Sequence, residues 1–174
     1  MEFIGLKQQY SLIQNSIQNS INTVLKHGQY VMGPEVFSIE NKLAEFVGSD
    51  YCITCSSGTD ALIMALMAYD IGPGDAVFTS PFTFIATAEV ISLVGATPVF
   101  IDIEESSFNI DPNLLRSELL NFSGSSKPKA IIAVDLFGLP ANYNELSNIA
   151  KEFNLILIED AAQSFGDELK SKKA

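Results

Sequence analysis

The residues in this sequence best placed to do chemistry stand at the end of an apolar run. In residues 155–166, LILIEDAAQSFG, aliphatic side chains suited to burial lead into Glu159 and Asp160, with Gln163 just beyond. A carboxylate at the end of a buried strand is costly without a partner, so a partner is expected there. Two other stretches carry comparable signals. In SSGTDAL, Ser56, Ser57, Gly58 and Thr59 lead into a predicted helix. Backbone N–H groups at a helix start, flanked by hydroxyls and a Gly that admits close approach, suit a phosphate, although Ser and Thr are also ordinary caps. In SPFTFIATA, Phe82 and Phe84 flank Thr83, where aromatics either stack on a flat ligand or close the core.

Several other chemistries are excluded. A nucleoside triphosphatase needs a P-loop lysine that SSGTDAL lacks, and no G-x-G-x-x-G follows any predicted strand. Cys52 and Cys55 form a C-x-x-C, but a structural zinc needs two more ligands and His27 is the only histidine. A redox pair stays open beside the reading of both as small buried hydrophobes on a short strand. What remains is a phosphate cradle, a flat-ligand platform and a carboxylate, which a phosphorylated aromatic ring with a basic nitrogen would satisfy together.

The elements that must position these residues alternate between helix and strand. Ile13, Ile17, Ile21 and Val24 recur at helical spacing, as do Val36, Ile39, Leu43 and Phe46 after Gly33-Pro34, predicting two amphipathic helices. Strands are predicted at 51–54, 76–79, 97–101, 130–134 and 155–159, separated by helices at about 60–69, 84–93, 112–120 and 143–153. Such alternation predicts an α/β fold with a mostly parallel sheet and helices on both faces, whose ligands gather at the carboxyl ends of strands. Residues 121–129, polar and punctuated by Gly and Pro, read as a mobile loop.

Composition narrows the setting. The 174 residues suffice for one sizeable core, so one domain is expected. Ten basic against 21 acidic residues, a net charge of -11, oppose a broad grip on nucleic acid or an anionic membrane. No secretory leader or spanning apolar run is evident, which suggests a cytoplasmic protein.

Six stretches, GQYVMGPEV, SSGTDAL, GPGDAVFTSPFTFIATAEVI, GATPVFIDIEESSFNIDP, DLFGLPANY and IEDAAQSFG, occur in one order and spacing that resembles the DegT/DnrJ/EryC1/StrS family. That family consists of pyridoxal 5′-phosphate (PLP) enzymes, mostly aminotransferases acting on nucleotide-linked keto-sugars. The resemblance implies the large domain of the aspartate aminotransferase-like fold type I, a homodimer, and glutamate as amino donor in amino-sugar biosynthesis. It also implies that residues 1–174 are the N-terminal portion of that domain, with its later strands and the small domain absent. Of seven strands, two that follow Asp160 would lie between the first and the one ending at Glu159, so 51–54 would stand apart from the other four.

Roles follow by resemblance, residue by residue. Asp160 matches the aspartate that pairs with the pyridine nitrogen, Gln163 a residue near the phenolic oxygen, and Phe84 the aromatic that stacks on the ring. Ser57, Gly58 and Thr59 match the phosphate-binding turn. Glu159 should point to the opposite face from Asp160. Asp135 stands where many relatives have histidine in H-L-[YF]-G, a departure that bears on the substrate. His27 reads as a solvated cap outside the site. The Schiff-base lysine of the family lies downstream, in S-F-x-x-x-K, and is not in this chain; Lys170, Lys172 and Lys173 match no catalytic position and read as a polar turn. Two alternatives stay open: a sugar dehydratase of the same family, in which histidine replaces that lysine, and a non-catalytic protein that binds a phosphorylated ligand or a relative.

Overall fold

A computed structural model of the chain describes residues 4–169, 172 and 173. The chain divides into two compact units, with the boundary between Thr54 and Cys55.

The first unit is helical. Helix α1 (Leu6–His27) carries the predicted isoleucine stripe, yet none of its residues is buried. It ends at Gly28, whose φ of 72° is the left-handed conformation glycine supplies at a helix stop. Helix α2 (Pro34–Val47) begins with a proline suited to the first turn. His27 is more than a solvated cap. Its Nδ1 accepts the Gln29 N–H at 3.0 Å, so the ring proton sits on Nε2 and is donated to Glu35 Oε1 at 3.0 Å. That bond is the main cause holding the Glu35 carboxyl below its ordinary range.

The predicted strand at 51–54 does not form. A strand needs a ladder partner, and here a side chain takes that place: Glu40 Oε1 accepts the Thr54 N–H at 2.9 Å and the Thr54 hydroxyl at 2.8 Å. Cys52 is consequently half-buried and Cys55 exposed, both as free thiols, instead of the small core residues expected.

The second unit alternates as predicted. Its elements are α3 (Gly58–Ala68), β1 (Asp75–Thr79), α4 (Ala86–Leu93), β2 (Thr97–Phe100), α5 (Pro112–Asn121), β3 (Lys127–Val134), α6 (Tyr143–Glu152) and β4 (Ile156–Asp160). The strands form one parallel sheet in the order β2-β1-β3-β4, with Val134 opposite Asp160. Residues 51–54 take no part in it. Successive residues face opposite ways: Phe78 and Ile131 join Leu115, Leu146 and Ile149 in one core, while Val77 and Ile132 join Leu66, Val90 and Ile91 in the other. Residues 130–133 of β3 have no exposed surface, as befits a central strand covered on both faces.

Most boundaries fall within one or two residues of the sequence reading, and the larger differences bear on the site and its surroundings. The loop at 121–129 shrinks to 122–126, because α5 extends through Asn121 and β3 starts at Lys127. Helix α4 starts at Ala86, leaving Phe84 in the turn before it. Beyond β4, Glu168–Leu169 pairs antiparallel with Lys172–Lys173, so the two lysines lie in a short hairpin strand and not in a turn. Lys170 lies outside the described residues. No helix among the described residues is long and apolar enough to cross a membrane.

Candidate functional site

Because the sheet is parallel, the carboxyl ends of β1, β3 and β4 open onto one edge, and a cavity of about 220 Å³ lies there. Gly58 and Thr59 line it from the start of α3, Thr83, Phe84 and Thr87 from the β1–α4 segment, Val134 and Leu136 from the end of β3, and Asp160, Ala162 and Gln163 from the end of β4. Five residues predicted from the sequence, Gly58, Thr59, Phe84, Asp160 and Gln163, thus meet around one space, although up to 105 positions apart (163 − 58) in the chain.

The Asp160 carboxylate has two hydrogen-bond partners among the described residues. Its Oδ2 accepts the Thr87 hydroxyl at 2.9 Å and its Oδ1 accepts the Ala162 N–H at 3.3 Å. Thr87 is almost wholly buried and lies 3.2 Å, hydroxyl to hydroxyl, from Thr83. The sequence reading missed Thr87. No local spacing signals it, because Thr83, its hydroxyl neighbour, lies in the bend before α4 and Asp160 is 73 residues away.

Gln163 is held by its carbonyl. The Phe137 N–H donates to Gln163 Oε1 at 2.6 Å, and since a backbone N–H can only donate, the amide NH₂ is the end left for another partner. Phe137 belongs to a short 3₁₀ turn, Leu136–Gly138, supported by buried Asn109, whose Oδ1 accepts the Leu136 N–H at 3.1 Å. Gly138, at φ 87°, is required there: a Cβ would lie 3.2 Å from the Gln163 carbonyl oxygen.

At the start of α3, Ser57 acts as the cap, its hydroxyl accepting the Asp60 N–H at 3.1 Å, and it does not line the cavity. The Ser56 hydroxyl is taken by the Asp60 carboxylate. Gly58 and Thr59 present the first N–H groups of the helix, which have no acceptor within it, and the space where a Gly58 Cβ would stand is open.

The core-closing reading of the two aromatics does not hold. Phe82 is 46% and Phe84 70% exposed. Phe82 packs with Phe108 at 5.8 Å and edge-on with Phe137 at 6.3 Å between ring centroids, beside a second cavity of about 280 Å³. That cavity shares Thr83, Phe84, Leu136 and Gln163 with the first.

Neither Glu159 nor Asp135 lines either cavity. Desolvation, followed by hydrogen bonding to and repulsion from Asp135, pushes the Glu159 carboxyl up to about 7 from its ordinary 4.5. Between those values the folded state keeps a proton that the unfolded chain has lost, so stability falls as pH rises from about 4.5 to about 7. Solvent contact limits the size of this effect. Thermal melts should show wild type losing more stability between pH 5 and pH 8 than Glu159→Gln, and equal losses would remove Glu159 as the cause.

An α/β unit with a carboxylate, a helix N-terminus and an exposed aromatic around one cavity at the carboxyl edge of its parallel sheet defines the class of α/β proteins with a sheet-edge site. More particularly, the chain belongs to the DegT/DnrJ/EryC1/StrS aminotransferase family, whose sequence pattern matches residues 11–174. It is 47% identical to the UDP-2-acetamido-2-deoxy-3-oxo-D-glucuronate aminotransferase of Pseudomonas aeruginosa, over 100% of this chain and 47% of that protein. A DegT DnrJ EryC1 StrS aminotransferase from Brucella abortus superposes with a TM-score of 0.96 at 47% identity, covering 99% of this chain and 47% of that one. Spr1654 of Streptococcus pneumoniae, in its PLP form, superposes with a TM-score of 0.80 at 28% identity, over 90% of this chain and 42% of its own. The chain spans about half the length of these relatives.

Proposed function

We propose that the complete protein is a PLP-dependent aminotransferase that moves an amino group from glutamate to a nucleotide-linked keto-sugar. In this reading residues 1–174 are the N-terminal portion of the large domain of a cytoplasmic homodimer, and the lysine that binds the cofactor lies outside them. The observation that carries it is the meeting of Asp160, Gln163, Phe84 and the start of α3 around one cavity.

The residues present fit PLP. Asp160 offers a carboxylate to the ring nitrogen, Gln163 an amide NH₂ to the phenolic oxygen, and Gly58 and Thr59 their N–H groups to the phosphate. The exposed Phe84 ring supplies a flat apolar face that keeps water from one side. When bound, PLP supplies an electron-withdrawing ring that stabilises negative charge at the carbon losing its proton. Asp160 would favour a protonated ring nitrogen, Thr87 fixes the carboxylate that would do so, and Gln163 would offer its NH₂ to the phenolic oxygen.

The test is amino transfer from glutamate to a keto-sugar nucleotide by the full-length protein, with UDP-linked keto-sugars tried first, alongside titration with PLP. Saturable PLP binding at one site per chain with amino transfer is expected, and failure to bind PLP would end the reading. Thr87→Val should fold normally but weaken PLP binding about tenfold, because Asp160 loses a hydrogen bond worth about 1.5 kcal/mol. An unchanged dissociation constant would show that Thr87 does not orient the carboxylate.

A further inference from the structure

We propose that Asp135 is a positioning residue: its buried carboxylate fixes the turn at 160–164 and thereby places Asp160 and Gln163 in the cavity. The ligand named in the test rests on the aminotransferase reading, whereas the positioning rests on contacts within this chain.

Asp135 directly follows β3 and has no exposed surface. A carboxylate buried this deeply is retained only where donors converge on it. Three do so from separate places. The Ala141 N–H at 2.9 Å and the Tyr143 hydroxyl at 2.7 Å donate to Oδ1, and the Ser164 hydroxyl donates to Oδ2 at 2.9 Å. Ala141 and Ser164 are themselves 1% and 2% exposed, so water cannot replace the carboxylate as their partner. Burial first, then the hydrogen bond to Asp135 and the negative charges of Asp135, Glu159 and Asp160, drives the Tyr143 hydroxyl far above its ordinary range, fixing it as a donor.

The backbone of the same stretch reaches the same turn. The Asp135 N–H donates to the Asp160 carbonyl at 3.1 Å, and two residues later the Phe137 N–H donates to Gln163 Oε1. Residues 135–137 therefore grip the turn at its start, at Gln163 and just after Gln163. Of the three grips, only the Ser164 contact depends on the Asp135 side chain. Through Tyr143 that side chain also ties the turn to the first residue of α6.

Asp135→Ala leaves all three donors unpaired, whereas Asp135→Asn can keep the pattern: its carbonyl accepts from Ala141 and Tyr143, and its NH₂ donates to the Ser164 oxygen. Leu146→Ala, a cavity in the core on the same helix but away from the site, controls for loss of stability. The full-length variants would be compared for thermal stability, PLP dissociation constant, and, without PLP, hydrogen exchange at 136–139 and 160–166. Asp135→Ala should weaken PLP binding about tenfold or more and speed exchange in both segments, while Asp135→Asn stays within about threefold of wild type. Leu146→Ala should lose stability but retain both PLP affinity and protection. Should Asp135→Ala fail to fold, Ser164→Ala, which removes one bond of the three, takes its place in the same comparison. Equal PLP affinity and exchange in Asp135→Ala and Leu146→Ala would overturn the proposal. A wild-type protein that does not bind PLP would overturn the aminotransferase reading instead, and the exchange comparison would still decide the role of Asp135.

Discussion

Asp160→Asn in the complete enzyme should leave the fold intact and lower turnover by at least about a hundredfold. Folding survives because the contacts of Asp160 are undemanding: an asparagine carbonyl can accept the Ala162 N–H, and its NH₂ can donate to the Thr87 oxygen in place of the bond Thr87 now makes. The chemistry does not survive as well. Only a negative charge favours a protonated ring nitrogen, and a neutral amide gives up that preference at the step where the ring must withdraw electrons. Circular dichroism and thermal melting should resemble wild type while kcat for amino transfer falls. An Asn variant with wild-type turnover would remove Asp160 from this role.

The 174-residue chain, prepared alone, should transfer no amino group from glutamate even at saturating PLP. Among the described residues no lysine lines either sheet-edge cavity, so no amine is placed to form a covalent link with the cofactor or to carry a proton to and from the substrate. An amine that merely diffuses in forgoes the advantage of a positioned group, which is on the order of 10⁵ or more in effective concentration. Borohydride reduction in the presence of PLP, followed by peptide mapping, should find no single lysine preferred. Addition of the downstream polypeptide should restore both labelling and turnover. Specific labelling of one lysine within the 174 residues, together with turnover by the chain alone, would show that the catalytic amine is already present.

Most of the second unit was legible in the sequence because its signals are local. The apolar runs at 76–78 in β1 and 130–134 in β3 mark strands buried on both faces, the run at 156–158 marks the half-buried edge strand β4, and the helices between them repeat at helical spacing. The strand expected at 51–54 had the same local look and did not form. Pairing is not a local property, and in this structure Glu40 meets the Thr54 N–H that a neighbouring strand would otherwise take. The cysteine reading failed with it, since burial of Cys52 and Cys55 presupposed that strand. Phe82 and Phe84 were ambiguous for a related reason: a Phe beside a strand end reads the same whether or not anything packs over it, and only the structure shows Phe84 left largely exposed and Phe82 half-covered by Phe108 and Phe137.

The sequence by itself determined which residue types stand at the strand ends and in what order, and therefore that a carboxylate, an amide, a helix start and an aromatic would share an edge once the sheet proved parallel. Tertiary structure alone decided how they are held. Asp135 and Ser164 lie 29 residues apart, and Thr87 and Asp160 lie 73 apart, so no spacing rule could pair them. Their hydrogen bonds exist because the β3 and β4 ends are in register and α4 packs beside them, conditions set by the whole core. The division of labour at Gln163 was likewise invisible beforehand. Which end of its amide faces the cavity depends on a backbone N–H at Phe137, placed there by a left-handed turn with φ of 57°, and that turn is supported by Asn109 and by the absence of a side chain at Gly138.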